Sequence, residues 1–345
     1  MQDHNQGDGP VDAEPSIVAI VPCFNEEAAV GTVVTDLRRA VPGIDVYVYD
    51  NNSSDRTAEV ARAAGAIVRT ERRRGKGNVV RRAFSDLDAD IYLLIDGDDT
   101  YDASAAPEMI ELLRSGPLDH VLGTRVDSAE SSAYRPGHEL GNRMFNRLVT
   151  RLFGEPITDM LSGYRVFSRR FVKSFPALSR EFEIETELTV HSMNLRVPQA
   201  ELPVGFKDRP AGSESKLRTY HDGLRILKLI GRLVQHERPL LLYGWLAAFL
   251  AAIGVVLGVP VIVHFAHTGL VPRFPTAFLA ASLMILATLS LVVGLILNGL
   301  LYARKESARL AYLRLSPPVC VAAPAIPDGE PVPAARPLDA MADRA

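Results

Sequence analysis

Four carboxylates follow one apolar run in LLIDGDDTYD (93–102): Asp96, Asp98, Asp99 and Asp102. Acids crowded at the end of a core strand repel one another and lose hydration as they are buried, so they require a positive partner. The spacing of Asp96 and Asp98 offers two hard oxygen ligands, which suits Mg²⁺ or Mn²⁺ arriving with substrate phosphates. Two more polar clusters end apolar runs in the same way, PCFNEE (22–27) and VYDNNSSD (48–55). Any one of these reads as a helix cap or turn; three at one edge read as a ligand site. Neither a G-x-x-x-x-G-K-[ST] loop nor a G-x-G-x-x-G turn is present, and RRRGKGN (72–78) has the spacing of neither. Recognition of phosphate is therefore expected from carboxylates and a metal. Within the cluster, Asp99 reads as a helper and Asp102 as the cap of the next helix.

The elements that must position these residues alternate along the chain. Strand-length apolar runs are SIVAIVP (16–22), IDVYVYD (44–50), AIVR (66–69), DIYLLID (90–96) and DHVLGTR (119–125). Between them EEAAVGTVVTDLRRA, DRTAEVARAAG, GNVVRRAFSDL and ASAAPEMIELLRS carry apolar residues at helical spacing. Such alternation predicts an α/β fold, a mostly parallel sheet with flanking helices. Ligands of such sheets bind outside the carboxyl ends of the strands, where all three polar clusters fall. Cys23, at the first strand end, reads as a small buried residue rather than a nucleophile. With Cys320 far away in sequence, no disulfide framework is expected.

The 345 residues allow one substantial domain and extras, and the net charge of −3 argues against a general polyanion surface, nucleic acid included. The N-terminus is polar and acidic, without the apolar stretch of a secretory signal, so the catalytic part is expected in the cytosol. Leu240 to Phe265 and Phe274 to Ala303 carry no Asp, Glu, Lys or Arg, and each exceeds the ~20 residues that cross a bilayer core. The short link HTGLVPRFP makes them a hairpin, predicting an integral protein of the cell (inner) membrane. Lys207, Arg209, Lys216, Arg218, Arg225, Lys228, Arg232 and Arg238 precede it and Arg304, Lys305, Arg309 and Arg314 follow, against Arg273 alone in the link. That asymmetry predicts cytoplasmic termini and a cytoplasmic catalytic domain. HDGLRILKLIGRLVQ (221–235) puts its basic residues on one narrow face, as an interfacial helix beside anionic headgroups would. The expected layout is a disordered tail (1–15), a catalytic domain (16–215), a basic amphipathic interfacial segment (216–238), a transmembrane hairpin (239–303, spans near 240–265 and 275–303), and a basic juxtamembrane segment with a disordered tail (304–345).

Taken in order, PCFNEE, VYDNNSSD, IDGDD, TDMLSGYRVFSRR, EFEIETEL and RPAGSESKL resemble the family 2 glycosyltransferases of the dolichyl-phosphate mannose synthase type, across residues 16 to 220. The resemblance implies a GT-A fold, a UDP- or GDP-hexose donor, Mg²⁺ or Mn²⁺, and a polyprenyl (undecaprenyl or dolichyl) phosphate acceptor among membrane lipids. It places Pro22, Asn25 and Glu26 in the first nucleotide-binding loop and Asp50 at the nucleobase, and Lys76 is grouped with the donor-binding residues. Asp96 and Asp98 match the D-x-D pair, Asp98 for the metal and Asp96 for ribose or metal. Arg125 resembles the basic residue near the acceptor phosphate, and Asp159, Ser162 and Arg165 resemble the acceptor-side loop, with Lys216 and Arg218 as further cations. Asp98, Arg125, Asp159 and Lys216 form the expected catalytic set. The chain departs from the pattern at Asp99 and Thr100, which leaves the third protein ligand open, and at Thr158, where some relatives have Arg. Glu183 and Glu185 are read as acids at a helix start or acceptor-side structure, without a catalytic role.

A lipid phosphate has a second pKa of about 6 and attacks without an enzyme base. The expected reaction is an inverting transfer in which cations bring two anions together. Three rivals stay in view: a processive polysaccharide synthase, a transferase to a lipid hydroxyl that would need a general base, and a silent nucleotide-sugar-binding protein. The only tryptophan, Trp245, lies in the first apolar run, away from any Q-x-x-R-W element of a synthase. Homo-oligomerisation and the identity of the sugar are left open.

Overall fold

A computed structural model describes residues 14–127, 158–177, 183–207, 235 and 237–317. Strands β1 (Ile17–Cys23), β2 (Asp45–Asp50), β3 (Ile67–Thr70), β4 (Ile91–Leu94) and β5 (His120–Asp127) form on the five predicted runs. The intervening helices are α1 (Val30–Ala40), α2 (Thr57–Ala63), α3 (Lys76–Asp86) and α4 (Ala106–Ser115). Two strands were not predicted, β6 (Arg165–Ser168) and β7 (Gln199–Phe206), with α5 (Arg169–Ser174) and α6 (Glu183–Leu195) between them. The strand order is β3-β2-β1-β4-β6-β5-β7. β1, β2, β3 and β4 pair in parallel, as do β5 and β7, whereas β6 is antiparallel to both β4 and β5. The sheet is thus mixed at its centre.

Alternation along the strands feeds a core on each face, as period-two side chains require. Ala19, Val21 and Leu93 pack with Val30, Val33, Met109 and Ile110 of α1 and α4. Ile20, Tyr92, Leu94 and Phe167 pack on the other face with Val79, Ala83, Phe171 and Leu188 of α3, α5 and α6.

Beyond β7 come two long helices, α7 (Pro239–Thr268, 30 residues) and α8 (Phe274–Leu313, 40 residues). Their most apolar stretches have mean hydropathy 2.7 and 2.5 with only 11% and 17% of those stretches buried, so they are candidate membrane spans rather than core helices. They touch closely at Gly254, where a Cβ would come within 3.1 Å of Met284 Sδ, and at Gly294, within 3.0 Å of Tyr243 Cβ. α8 does not stop at residue 303. Where a basic juxtamembrane segment was expected, the helix continues to Leu313 and docks on the catalytic domain. Tyr312 is buried there and its hydroxyl donates to Asp119 Oδ2 at 2.7 Å. Asp119, itself wholly buried, also accepts from Ser168 Oγ (2.6 Å) and from Arg170 Nε and Nη2 (2.5 and 2.6 Å). Four donors compensate the desolvated carboxylate. Arg309 Nη1 donates to Leu195 O at 2.8 Å, and Lys305 pairs with Glu237 at 2.9 Å. Residues 221–234 of the expected interfacial helix, Lys216, Arg218, and the tails at 1–13 and beyond 317 lie outside the described residues.

Tyr312→Phe removes one hydrogen bond to a buried charge and leaves the packing. It is expected to cost roughly 1.5–3 kcal/mol, read as a lower thermal midpoint of the purified chain in detergent.

Candidate active site

β2, β1 and β4 are parallel neighbours, so their carboxyl ends meet at one rim, with Pro22 opposite Tyr49 and Cys23 opposite Asp50. Cys23 is buried, and desolvation pushes its thiol well up, so it stays protonated and inert. Asn25 follows in the left-handed region (φ 55°), which Asn tolerates. Its Oδ1 accepts from Ser54 N at 2.8 Å and its N–H donates to Ser53 Oγ at 2.9 Å. Glu26 N–H donates to Thr57 Oγ1 at 2.8 Å, while its carbonyl receives the first amides of α1 from Ala29 and Val30. The first two polar loops are therefore bonded into one surface. Asp50 is buried within it, and its Oδ1 accepts from Ser53 N at 3.3 Å. Asn51 Oδ1 takes Gly75 N at 2.7 Å, and its amide donates to the carbonyls of Glu71 and Arg73. Gly75 has φ 120°, a conformation reserved for glycine, and it sets the start of α3.

That turn delivers the positive partner which the acidic cluster requires. Lys76 Nζ pairs with Asp96 Oδ1 and, at 2.6 Å, with Glu185 Oε1 from the first turn of α6. Burial alone would lower the Lys76 pKa, but Asp96 and Glu185 outweigh it and push it up, so the ammonium is permanent. Burial raises the Glu185 carboxyl, and Lys76 opposes that rise. On the far side of Asp96 stands Gly163. A Cβ there would overlap Asp96 Oδ2 and lie 2.9 Å from Lys76 Nζ, and the Gly163 N–H is fixed by donation to Tyr101 Oη at 2.9 Å. Asp98 Oδ1 accepts from Thr100 Oγ1 at 2.7 Å and from its N–H at 3.3 Å. Asp99 adopts φ 58° and pairs with Lys207 Nζ at 2.9 Å. Lys207, one of the basic residues counted ahead of the apolar runs, makes its ion pair at this rim. Asp102 accepts from Ser104 N at 2.9 Å and caps the short turn Ala103–Ala105 that leads into α4.

On the expected acceptor side, β5 ends near the same rim and brings Arg125 to Asp159. Arg125 Nε and Nη2 donate to Asp159 Oδ2 and Oδ1 at 2.7 Å each, a bidentate pair. The backbone of Thr158 donates to Glu201 Oε1 at 3.1 Å. Ser162 and Arg165 differ from expectation, for both are 0% exposed. Ser162 Oγ donates to Gly123 O at 2.5 Å, and Arg165 donates to Ser162 O (2.9 Å), Met160 O (2.8 Å) and Thr189 Oγ1 (2.8 Å). Arg165 opens β6, opposite Leu94 and Leu122 at the middle of the sheet, so its side chain braces the preceding turn against α6 rather than meeting a ligand. Burial brings its pKa down to about 10, so it keeps its charge. Lys216 and Arg218 lie outside the described residues. Three residues of the site were not singled out from the sequence: Tyr101, Lys207 as a partner of Asp99, and Glu185 as a partner of Lys76. Only an acid in the first turn of a helix marks Glu185, 109 positions from its lysine.

Asp96 and Asp98 are hard oxygen donors on one loop, and Oδ1 of each is already engaged by the protein. Among the described residues no group of three His, Cys, Asp or Glu side chains could hold a metal. Such a donor set fits an ion that completes its shell with substrate phosphates and water, as Mg²⁺ does. Gly163→Ala should overpack this corner at a cost of roughly 1–3 kcal/mol, seen in thermal denaturation, because the clamped Asp96 cannot turn away.

Residues 18–175 match the model of Glycosyl transferase family 2. The chain is 34% identical over 230 residues to the glycosyltransferase AglJ of Haloferax volcanii, covering 66% of this chain and 75% of that one. It is 29% identical over 222 residues to the dolichyl-phosphate hexose transferase of the same organism, covering 64% and 95%. Glucosyl-3-phosphoglycerate synthase from Mycobacterium tuberculosis, solved with Mn²⁺, UDP-glucose and phosphoglyceric acid, shares the fold at a TM-score of 0.53 and 21% identity, over 65% of this chain and 80% of that one. The GT-A architecture expected from the six motifs is therefore present, and the chain belongs to glycosyl transferase family 2 as a glycosyltransferase.

Proposed function

We propose that the chain transfers a hexose from a nucleotide diphospho-sugar to a polyprenyl phosphate at the cytoplasmic face of a membrane, inverting the anomeric centre. The observation that carries this reading is the joining of Asp50, Asp96 and Asp98 at one sheet edge to a domain on which a candidate membrane helix docks through Tyr312. The likeness to a dolichyl-phosphate hexose transferase across 95% of its length supports the acceptor class.

The first loop (Pro22, Asn25, Glu26) and Asp50 bind the nucleotide. Asp98, with Asp96, would hold Mg²⁺ or Mn²⁺, which when bound neutralises the diphosphate leaving group. A phosphate oxygen of the acceptor, dianionic above a second pKa of about 6, attacks the anomeric carbon. The bond from that carbon to the donor diphosphate breaks, and its electron pair leaves with the nucleoside diphosphate. No proton needs to be removed by an enzyme base. Arg125, oriented by Asp159 through two hydrogen bonds, supplies positive charge where the acceptor arrives, with Lys216 and Arg218 as further cations from the segment before α7. The buried positions of Ser162 and Arg165 give them the task of shaping the turn that carries Asp159 and Gly163. Both chain ends and the catalytic domain lie on the cytoplasmic side.

The test is an assay of the purified chain in membranes with Mn²⁺, a polyprenyl phosphate and radiolabelled UDP- and GDP-hexoses. A labelled, mild-acid-labile lipid is expected, and Asp98→Ala should reduce it about a hundredfold or more. Absence of labelled lipid with every donor, or full yield from Asp98→Ala, defeats the reading. Protease added to right-side-out vesicles should leave the catalytic domain intact and digest it only after permeabilisation.

A further inference from the structure

Lys76 occupies the first position of α3, at the positive end of that helix, where a cation is disfavoured. It is also buried, so its charge persists there only because two carboxylates meet it. One of them, Asp96, belongs to the rim and is 28% exposed; the other, Glu185, is 6% exposed and comes from a different helix. Burying a second acid is costly unless it is paired, and Lys76 is what pairs it. Oε2 of Glu185 is buried without a hydrogen-bond partner among the described residues, so Lys76 is the hydrogen-bond partner of this side chain, with the charge of buried Arg165 nearby. Asp96 in turn is clamped, with Lys76 on Oδ1 and the backbone of Gly163 against Oδ2. α6 is held at its opposite end as well: Leu195 O accepts from Arg309 of α8, and Asn194 Nδ2 donates to Glu237 Oε1 at 3.3 Å. The position of Glu185 is thus fixed by the body of the protein and not by the rim it serves.

We propose that Glu185 is a positioning residue for the donor site: through Lys76 it fixes the orientation of Asp96 toward the nucleotide sugar and its metal. The inference rests on the reading of this rim as the nucleotide-sugar site. Glu185 does not touch the reacting atoms. Its effect should appear in donor and metal binding, and not in the acceptor step.

Binding of UDP or GDP with Mn²⁺ to the full chain in detergent, followed by calorimetry, tests this. Glu185→Gln keeps the volume and removes the charge, and it should weaken nucleotide and Mn²⁺ binding about tenfold to a hundredfold, the range for residues that orient a metal-site carboxylate. In the transfer assay the donor KM should rise while the KM for the lipid phosphate stays unchanged. Lys76→Met combined with Glu185→Gln should bind no more weakly than Lys76→Met alone, because one residue acts through the other. Glu185→Asp, which keeps the charge but shortens the reach, carries the test if Glu185→Gln gives no cooperative melt, and it too should bind more weakly. Unchanged binding in the folded variants, or a double variant that loses the product of both single effects, overturns the inference. If the unaltered chain binds neither nucleotide, the donor-site reading itself fails; if it binds and Glu185→Gln binds equally, only the positioning role fails.

Discussion

Gathering Asp50, Asp96, Asp98 and Asp99 at adjoining strand ends sets up a repulsion that the protein itself must relieve. Two unit charges 4 Å apart interact by roughly 4 kcal/mol at an effective dielectric near 20, a large sum beside the net stability of a domain. The relief comes from the chain itself: buried Lys76 against Asp96 and the more exposed Lys207 against Asp99. Much of the surrounding backbone follows from placing these two amines. The left-handed Asp99 accompanies its pairing with Lys207, and the bonds from Asn51 to the turn before α3 bring Lys76 inward. The Asp119 cluster answers the same problem near the start of β5, with an arginine, a serine and a tyrosine as donors.

The antiparallel strand β6 matters to the rim because of its direction. A strand that runs against its neighbours begins where they end, so the turn before it lies beside the carboxyl ends of β4 and β5. Asp159 and Gly163 belong to that turn. One carboxylate aligns Arg125, and one missing side chain leaves room for Asp96. Arg165 and Ser162 are the cost of that arrangement, since a polar turn entering the middle of a sheet must be satisfied from within.

Most of this architecture was legible before any coordinates, for a physical reason. Five strand-length apolar runs and four amphipathic helices announce themselves by periodicity, and their alternation fixes which strand ends share an edge. β6 escaped because RVFS opens on an arginine and runs straight into Arg169 and Arg170, so no apolar run marks it as the run around β4 marks that strand. β7 escaped because QAELPVGF carries a proline and an irregular burial pattern. The carboxylates of the site were legible because acids after an apolar run are costly and therefore conspicuous. Lys76 was singled out for the donor, but the pairings of Lys76 with Asp96 and of Lys207 with Asp99 were not legible, and the meeting of Lys76 with Glu185 exists only in the folded chain. Arg165 misled for the same reason: an arginine in a motif announces charge but not the direction in which its side chain points.

The unbroken course of α8 has a geometric consequence. Because one helix carries both the apolar stretch and the residues that grip the catalytic domain, the two are locked in helical phase. Each residue added between Ala303 and Tyr312 would advance the grip by about 1.5 Å and turn it by about 100°. A flexible tether would absorb such a change, whereas a continuous helix converts it into a rotation of the whole domain about the helix axis. The stretch from Ala303 to Tyr312 therefore acts as a gauge in which residue number, more than residue identity, determines how the catalytic domain is turned relative to the apolar helices.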